Sequence, residues 1–243
     1  MPTEKDATIG VLLSGGLDSA ILLGHLLGQG FGVLPFYVRS HLAWERRELQ
    51  SARRFLGALA SPRLAPLIVL DEPLDDVYGD HWSLTGRDVP QRGSPDTAVY
   101  LPGRNALLLL KPLLWCRLNA VEFLALAVLD SNPFADASPE FFDCFESALA
   151  RATGGRVRLL RPFAEMEKRQ VMELGRSLPL ELTFSCIAPV GGLHCGRCNK
   201  CAERIAAFRS IDAPDPTRYA VASGEGRGEA PNRKLEIPNK SKI

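Results

Sequence analysis

Apolar residues occur in short clusters along the chain, and their spacing predicts alternating strands and helices. Runs rich in β-branched and aromatic residues predict strands at 9–13, 31–38, 66–70, 121–128 and 157–160. Apolar positions three and four residues apart predict helices at 19–27, 45–59, 106–118, 140–150 and 168–177. The alternation favours an α/β fold with a doubly wound, mostly parallel sheet between two helical layers.

Two stretches lack this periodicity. Residues 71–102 are rich in Asp, Gly and Pro, which predicts a long loop of the kind that is usually functional or mobile. Residues 222–243 are polar and rich in Gly and Pro, which predicts a mobile tail. We therefore expect an α/β domain at 1–180, a C-terminal region at 181–221 packed on it, and this tail.

The composition limits the possible partners. A formal net charge of +1 provides no broad basic field, so nucleic acid is an unexpected partner. No apolar run reaches the roughly 18 residues of a membrane span, and the first ten residues do not resemble a secretion signal. We expect a cytoplasmic protein without a membrane partner.

The sequence SGGLDS follows the first predicted strand and opens the first predicted helix. Glycines at 15 and 16 allow the backbone to approach a phosphate closely, and the helix N-terminus favours an anion. Ser14 and Ser19 add hydroxyl donors, while Asp18 suits a phosphate site if it holds Mg²⁺. The alternative is a tight turn in which Ser and Asp cap the helix.

Four of the six cysteines fall within sixteen residues, at Cys186, Cys195, Cys198 and Cys201. Four thiolates at this spacing predict a closed, structural zinc site, and Gly191, Gly192 and Gly196 favour the tight turns it needs. An iron–sulfur cluster and free buried thiols are the alternatives. We expect His194 to be a solvated turn residue, and Cys116 and Cys144 to be small core residues.

The SGGLDS sequence resembles the PP-loop of the N-type ATP pyrophosphatases. The resemblance implies an adenine nucleotide alpha hydrolase-like fold that binds ATP and cleaves it between the α- and β-phosphates. An acceptor oxygen is adenylated, pyrophosphate leaves, and a nucleophile then displaces AMP. The phosphate-binding segment is then Ser14, Gly15, Gly16, Leu17, Asp18 and Ser19.

The PP-loop together with the cysteine spacing resembles the 7-cyano-7-deazaguanine synthase (QueC) family. Residues 97–105, TAVYLPGRN, resemble the family's VPGRN segment, and SNPFADASPEF at 131–141 resembles its SGYPDCRPEF. Lys168 falls where the family has a lysine before a helix. The resemblance extends from about residue 9 to residue 209 and implies a cytoplasmic ligase of queuosine biosynthesis, with ATP, Mg²⁺ and Zn²⁺ as cofactors and a possible homodimer.

The family reaction converts 7-carboxy-7-deazaguanine and ammonia to the nitrile, with release of AMP and pyrophosphate. The resemblance implies that Asp18, Arg104 and Lys168 are catalytic and that Asn105 joins Arg104 at the nucleotide. Outside the family context, Arg104 and Lys168 could equally be surface charges and Asn105 a helix cap. The loop expected to recognise the deazaguanine carries Asn132, Pro133, Asp136 and Glu140.

This chain departs from the family pattern at Ala137 and Ser138, where the family has a Cys-Arg pair. Loss of an arginine beside a carboxylate removes a bidentate contact. A divergent PP-loop ligase that adenylates another carboxylate or an RNA base, as in tRNA thiolation, is therefore an alternative. A zinc-knuckle module that binds nucleic acid is the non-enzymatic alternative, and the locally basic sequence CGRCNKCAERIAAFR favours it.

Overall fold

The computed structural model describes residues 7–221, so the tail predicted at 222–243 lies outside the described residues. Five strands form one parallel sheet in the order β3-β2-β1-β4-β5. They are β1 Thr8–Leu12, β2 Gly32–Arg39, β3 Ile68–Asp71, β4 Phe123–Ala125 and β5 Arg158–Leu160. The described helices are α1 Leu17–Gly28, α2 Glu45–Leu59, α3 Asp75–Tyr78, α4 Trp82–Thr85, α5 Arg104–Leu118, α6 Pro139–Thr153, α7 Lys168–Leu174 and α8 Asn199–Ser210.

The sheet is covered on both faces, which confirms the predicted doubly wound α/β fold. Alternate residues of each strand face opposite layers. On β2, Val33 and Tyr37 enter one core with α1, α2, α7 and α8, whereas Phe36 enters a second core with α5 and α6. Burial on both faces explains why the strands are continuous apolar runs in the sequence.

The strand order indicates that a ligand would bind at the carboxyl ends of the central strands. The chain runs outward in opposite directions from β1, through β2 on one side and β4 on the other. In sheets of this kind, ligands bind beyond the carboxyl ends of the strands at this reversal. The SGGLDS sequence follows β1, and the recognition loop predicted at 131–141 follows β4 after residues 126–130, so both predicted segments come after the carboxyl end of a central strand.

Two details differ from the sequence-based prediction. The strand predicted at 121–128 is short, because pairing with β5 ends after Ala125 and residues 126–128 line a cavity instead. The predicted loop at 71–102 contains the single-turn helices α3 and α4 and a 3₁₀ turn at Asp96–Val99. Helices this short depend on tertiary contacts, and in α4 Trp82 stacks on Trp44 with ring centroids 5.8 Å apart.

The C-terminal region is packed on the sheet domain. Helix α8 contributes Ala207 and Phe208 to the core that contains α1, and the amide of Phe184 donates to the carbonyl of Gly15 at 2.7 Å. Cys116 is buried as expected, but Cys144 is exposed on α6, so its assignment to the core was wrong. Within residues 7–221, no helix is long and apolar enough to cross a membrane.

Candidate active site

The SGGLDS segment forms a compact loop between β1 and α1. Gly15 has a φ of +75°, and a Cβ there would lie 3.0 Å from both Cγ and the carbonyl oxygen of Glu48, so this position requires glycine. The hydroxyls of Ser14 and Ser19 lie 3.0 Å apart, and the Ser14 amide donates to Ser19 Oγ at 3.1 Å. Helix α1 begins without a side-chain cap, which leaves its first-turn amides available to an anion.

Asp18 and Lys168 meet beside this loop although they are 150 residues apart in the sequence. Lys168 Nζ lies 2.6 Å from Asp18 Oδ1. Lys168 is the first residue of α7, and a capping box formed by Glu167 and Gln170 fixes where that helix starts. Both side chains remain about one-third exposed, so they are accessible to a ligand in the cavity. Two separately predicted site residues are thus brought together.

Arg104 and Asn105 lie at the start of α5, after Gly103, which caps the helix with a φ of +75°. Arg104 lines the cavity in front of the glycine loop, and its buried Nε has no hydrogen-bond partner among the described residues. The interpretation of Asn105 as a helix cap was wrong, because Gly103 takes that position and Asn105 lies within α5. The backbone amide of Asn105 donates to Asp136 Oδ2 at 3.0 Å. Its side-chain amide donates to the Asp136 carbonyl at 2.8 Å.

The loop at 131–141 is divided between the cavity and the scaffold. Asn132 and Pro133 line cavities in front of the sheet. Asp136 is buried and turned toward Asn105, so it joins this loop to the start of α5. Glu140 is exposed in the first turn of α6 and is not among the residues that line either cavity. Of the four predicted loop residues, Asn132 and Pro133 thus line a cavity, whereas Asp136 and Glu140 do not.

Two adjoining cavities lie at the carboxyl ends of the strands. The first, of about 330 Å³, is lined by the serines and Gly16 of the glycine loop together with Arg104 and Asn105. The second, of about 540 Å³, lies between α8 and residues 129–134. The residues that line both cavities are Asp18, Ala127, Asn132, Lys168, Lys200 and Glu203. The Asp18–Lys168 pair thus lies where the two cavities meet.

Glu48 of α2 and Tyr37 of β2 also line the first cavity. The Tyr37 hydroxyl donates to Glu48 Oε2 at 2.6 Å. Burial raises the pKa of Glu48 to about 7, against the opposing effects of the Tyr37 hydrogen bond and the Arg104 charge. Burial and the neighbouring Glu48 likewise raise the pKa of Tyr37 above its usual value.

The four cysteines of the C-terminal region converge in a buried cluster. Their sulfurs all lie within 4.8 Å of one another. The Cys186–Cys198 and Cys195–Cys201 sulfur distances are both 3.9 Å. Sulfurs at the corners of a tetrahedron around zinc lie about 3.8 Å apart, given a Zn–S bond of about 2.3 Å. The geometry therefore fits a zinc ion held by four thiolates.

Backbone amides surround this cluster. Amides donate to the sulfurs of Cys186, Cys195 and Cys198 at 3.2–3.5 Å, which favours their thiolate forms. Positive φ angles of 56°, 80° and 80° at Gly191, Gly192 and Gly196 confirm the expected tight turns. All four thiols are taken up in the cluster, so it offers no open coordination position for a substrate.

Two buried polar side chains, His194 and Arg204, belong to the segment that carries the cysteines. His194 was predicted as a solvated turn residue, but it is buried and its Nε2 accepts the Ser185 amide at 3.1 Å, so that prediction was wrong. Burial, with a further effect of Arg204, lowers the pKa of His194 to about 3. Arg204 lines the first cavity at 1% exposure.

Sequence reasoning missed Tyr37, Glu48 and Arg204. Tyr37 lies within an apolar strand, and Glu48 and Arg204 have the spacing of solvated helix faces. The nearest signal in the sequence for Glu48 was its position in the predicted helix α2. That position did not reveal the contact with Gly15, because the contact depends on how the helix packs. For Arg204, the proximity to Cys201 was the only local indication.

The glycine loop at the strand reversal and the cysteine cluster behind it define an α/β nucleotide-binding protein of the PP-loop type. The chain matches the family model described as "Queuosine biosynthesis protein QueC" over residues 8–212 and belongs to that family.

Curated relatives named 7-cyano-7-deazaguanine synthase include one from Solidesulfovibrio magneticus, which is 32% identical over 90% of this chain and 98% of its own length. Another, from Syntrophobacter fumaroxidans, is 34% identical over 86% of this chain and 94% of its own length. A solved 4-thiouridine synthetase–RNA complex with bound ATP overlaps with a TM-score of 0.42 and 16% identity over 85% of this chain and 50% of that chain. That overlap supports no inference about function.

Proposed function

We propose that this protein is a 7-cyano-7-deazaguanine synthase, which uses ATP and ammonia to convert the 7-carboxylate of a deazaguanine to a nitrile. The observation that carries the proposal is the Asp18–Lys168 pair, which joins the glycine loop to α7 at the junction of the two cavities. Family membership and the names of the curated relatives support the same reaction.

In this proposal, the first cavity receives ATP. Amides and hydroxyls of Ser14–Ser19 bind the phosphates, and Arg104 and Lys168 oppose the negative charge that grows as pyrophosphate departs. Asp18 would hold Mg²⁺ together with phosphate oxygens and water, which are the ligands that this ion prefers. Bound Mg²⁺ would neutralise phosphate charge.

The second cavity would receive the acceptor, so that its carboxylate reaches the α-phosphate near Lys168. A carboxylate oxygen attacks the α-phosphorus, and the bond to the bridging oxygen of pyrophosphate breaks. Ammonia then attacks the acyl carbon and AMP leaves, which gives the amide. A second ATP activates the amide oxygen, and loss of AMP and protons leaves the nitrile. Balanced overall, one acid, one ammonia and two ATP give one nitrile, two AMP and two pyrophosphate.

The cysteine cluster has a structural role in this proposal. Zinc is the proposed metal because the sulfur spacing matches a single tetrahedral ion, and a closed site of this kind stabilises the fold rather than activating a substrate. Ammonia as the second substrate and a homodimer follow from the family resemblance.

The segment that replaces the family's Cys-Arg pair supports one alternative, a ligase for a different carboxylate. Ser138 is the N-cap of α6 and accepts the Phe141 amide at 3.1 Å, while Ala137 is buried in the core. Neither side chain supplies a cation to a substrate carboxylate. In this alternative the ATP chemistry is unchanged and the acceptor differs.

The test is AMP and pyrophosphate formation from ATP, Mg²⁺ and ammonium, with and without 7-carboxy-7-deazaguanine. The synthase proposal predicts AMP only with the acid, together with the nitrile. Asp18→Asn should abolish this activity, and Asp143→Asn, an exposed carboxylate on α6, should retain it. If zinc-loaded protein binds ATP but the acid produces no AMP, the synthase assignment fails and the alternative acceptor is favoured.

A further inference from the structure

Glu48 is a carboxylate that lies directly behind the glycine loop. Its stem and backbone occupy the space beside Gly15, as the 3.0 Å approach of its Cγ and carbonyl oxygen to a Cβ there shows. Its side chain lines the same cavity as Ser14 and Ser19. A carboxylate is therefore built into the wall of the site that would receive the triphosphate, although like charges repel.

Groups from three elements face this carboxylate. From β2, the Tyr37 hydroxyl donates to Oε2 at 2.6 Å. At the start of α2, its N-cap residue Trp44 favours the charged form and Glu45 opposes it, and from the start of α5 the Arg104 charge favours it. Among the residues that the structure describes, Glu48 has no salt-bridge partner within 4.0 Å. Its charge is thus only partly compensated before a ligand arrives.

Arrival of the phosphates changes this balance in one direction. Burial already raises the pKa of Glu48 to about 7, and several phosphate charges in the same cavity disfavour the carboxylate further. At the same time, the phosphates draw the Arg104 charge to themselves. The protonated form removes the repulsion and offers an O–H donor to a phosphate oxygen.

We propose that Glu48 takes up a proton when the triphosphate binds and, as a neutral acid, donates a hydrogen bond to the phosphates in the glycine loop. The Tyr37 hydroxyl keeps the other carboxyl oxygen in place. This inference rests on the ATP site of the proposed function but not on the identity of the acceptor. It makes the affinity for ATP fall as the pH rises above neutrality.

The proton is counted by titration calorimetry with α,β-methylene ATP and Mg²⁺ at about pH 8, in buffers that differ in ionisation enthalpy. With a pKa of about 7, roughly nine-tenths of Glu48 is ionised in the free protein at that pH. Wild type should therefore take up nearly one proton more than Glu48→Gln. Asp143→Asn is the control, because Asp143 is exposed on α6 and lines neither cavity, and it should behave as wild type.

Two further measurements do not depend on the Gln variant. In wild type, the dissociation constant of the analogue should rise up to tenfold per pH unit above about pH 7. Tyr37→Phe removes a hydrogen bond that stabilises the ionised carboxyl, so the free protein should already be more protonated and take up less at pH 8. Equal proton uptake by wild type and Glu48→Gln, or proton release on binding, would overturn the proposal. Neither measurement contains an acceptor, so a failed synthase assay does not affect it.

Discussion

Replacement of Arg204 by Met should destabilise the protein while leaving the buried volume nearly unchanged. At 1% exposure, the guanidinium donates to Thr217 Oγ1 at 2.6 Å, Thr183 Oγ1 at 2.8 Å and the Leu180 carbonyl at 2.8 Å. A weaker bond reaches Ser185 Oγ at 3.3 Å. These bonds hold residues 180–185, and through Phe184 the glycine loop, against α8.

The magnitude follows from what the substitution leaves behind. Hydrogen bonds to a charged group each contribute about 1.5–3 kcal/mol, but removal of a buried charge also removes its desolvation cost. The Leu180 carbonyl keeps a donor, since Thr183 Oγ1 donates to it at 2.6 Å, so mainly neutral hydroxyls lose partners. We expect a loss of about 2–4 kcal/mol, which for a chain of this size lowers Tm by roughly 4–16 °C.

Arg209→Met is the matched control, because Arg209 is exposed in the last turn of the same helix. Scanning calorimetry of zinc-loaded wild type, Arg204→Met and Arg209→Met measures the difference. A Tm for Arg204→Met within a degree or two of the Arg209→Met value would refute the role assigned to the buried guanidinium.

Three further predictions concern the site and its pH dependence. Lys168→Met should reduce the unfolding free energy by less than about 1 kcal/mol, because the pair with Asp18 is one-third exposed, yet reduce AMP formation about 10²–10³-fold. The matched control is Arg169→Met, at an exposed position of α7 that lines neither cavity, and an equal loss of activity there would contradict the role of Lys168. Cys198→Ser should lose zinc by elemental analysis and lower Tm, since metal binding is coupled to folding; an unchanged Tm after zinc loss would exclude a structural role. Because the folded-state pKa of Glu48 is raised from 4.5 to about 7, its protonation stabilises the fold at low pH, and this contribution declines as the pH rises from about 4.5 to 7. In urea titrations, the unfolding free energy should therefore fall more between pH 5 and pH 8 for wild type than for Glu48→Gln. The same fall in both proteins would show that the pKa of Glu48 is not raised.

Local patterns predicted most of the secondary structure. Helix α2 has the predicted bounds, Glu45–Leu59, because its apolar residues recur at helical spacing. The order of the strands and the meeting of SGGLDS with Lys168 rest on tertiary packing. The SGGLDS segment itself was recognisable because its backbone requirements are local: Gly15 adopts a left-handed conformation that few other residues tolerate.

The remaining errors arise where distant groups decide the environment of a residue. Glu48 and Arg204 have the sequence pattern of exposed helix faces, but packing against Gly15 leaves Glu48 half-buried, and the contacts with residues 180–185 bury Arg204. His194 was misjudged for the same reason, since Phe184 and Tyr219 enclose its ring. Asn105 has the composition of a helix cap, but Gly103 takes that position and Asp136 takes the amide.

The central claim is that a carboxylate is adenylated at the glycine loop and that its oxygens leave with AMP. The most direct test uses 7-carboxy-7-deazaguanine labelled with ¹⁸O in both carboxylate oxygens, with mass spectrometry of the nucleotide products. We predict one ¹⁸O in the phosphate of each AMP, two AMP for each nitrile, and unlabelled pyrophosphate. Label in pyrophosphate or inorganic phosphate, or nitrile formed with unlabelled AMP, would contradict the account.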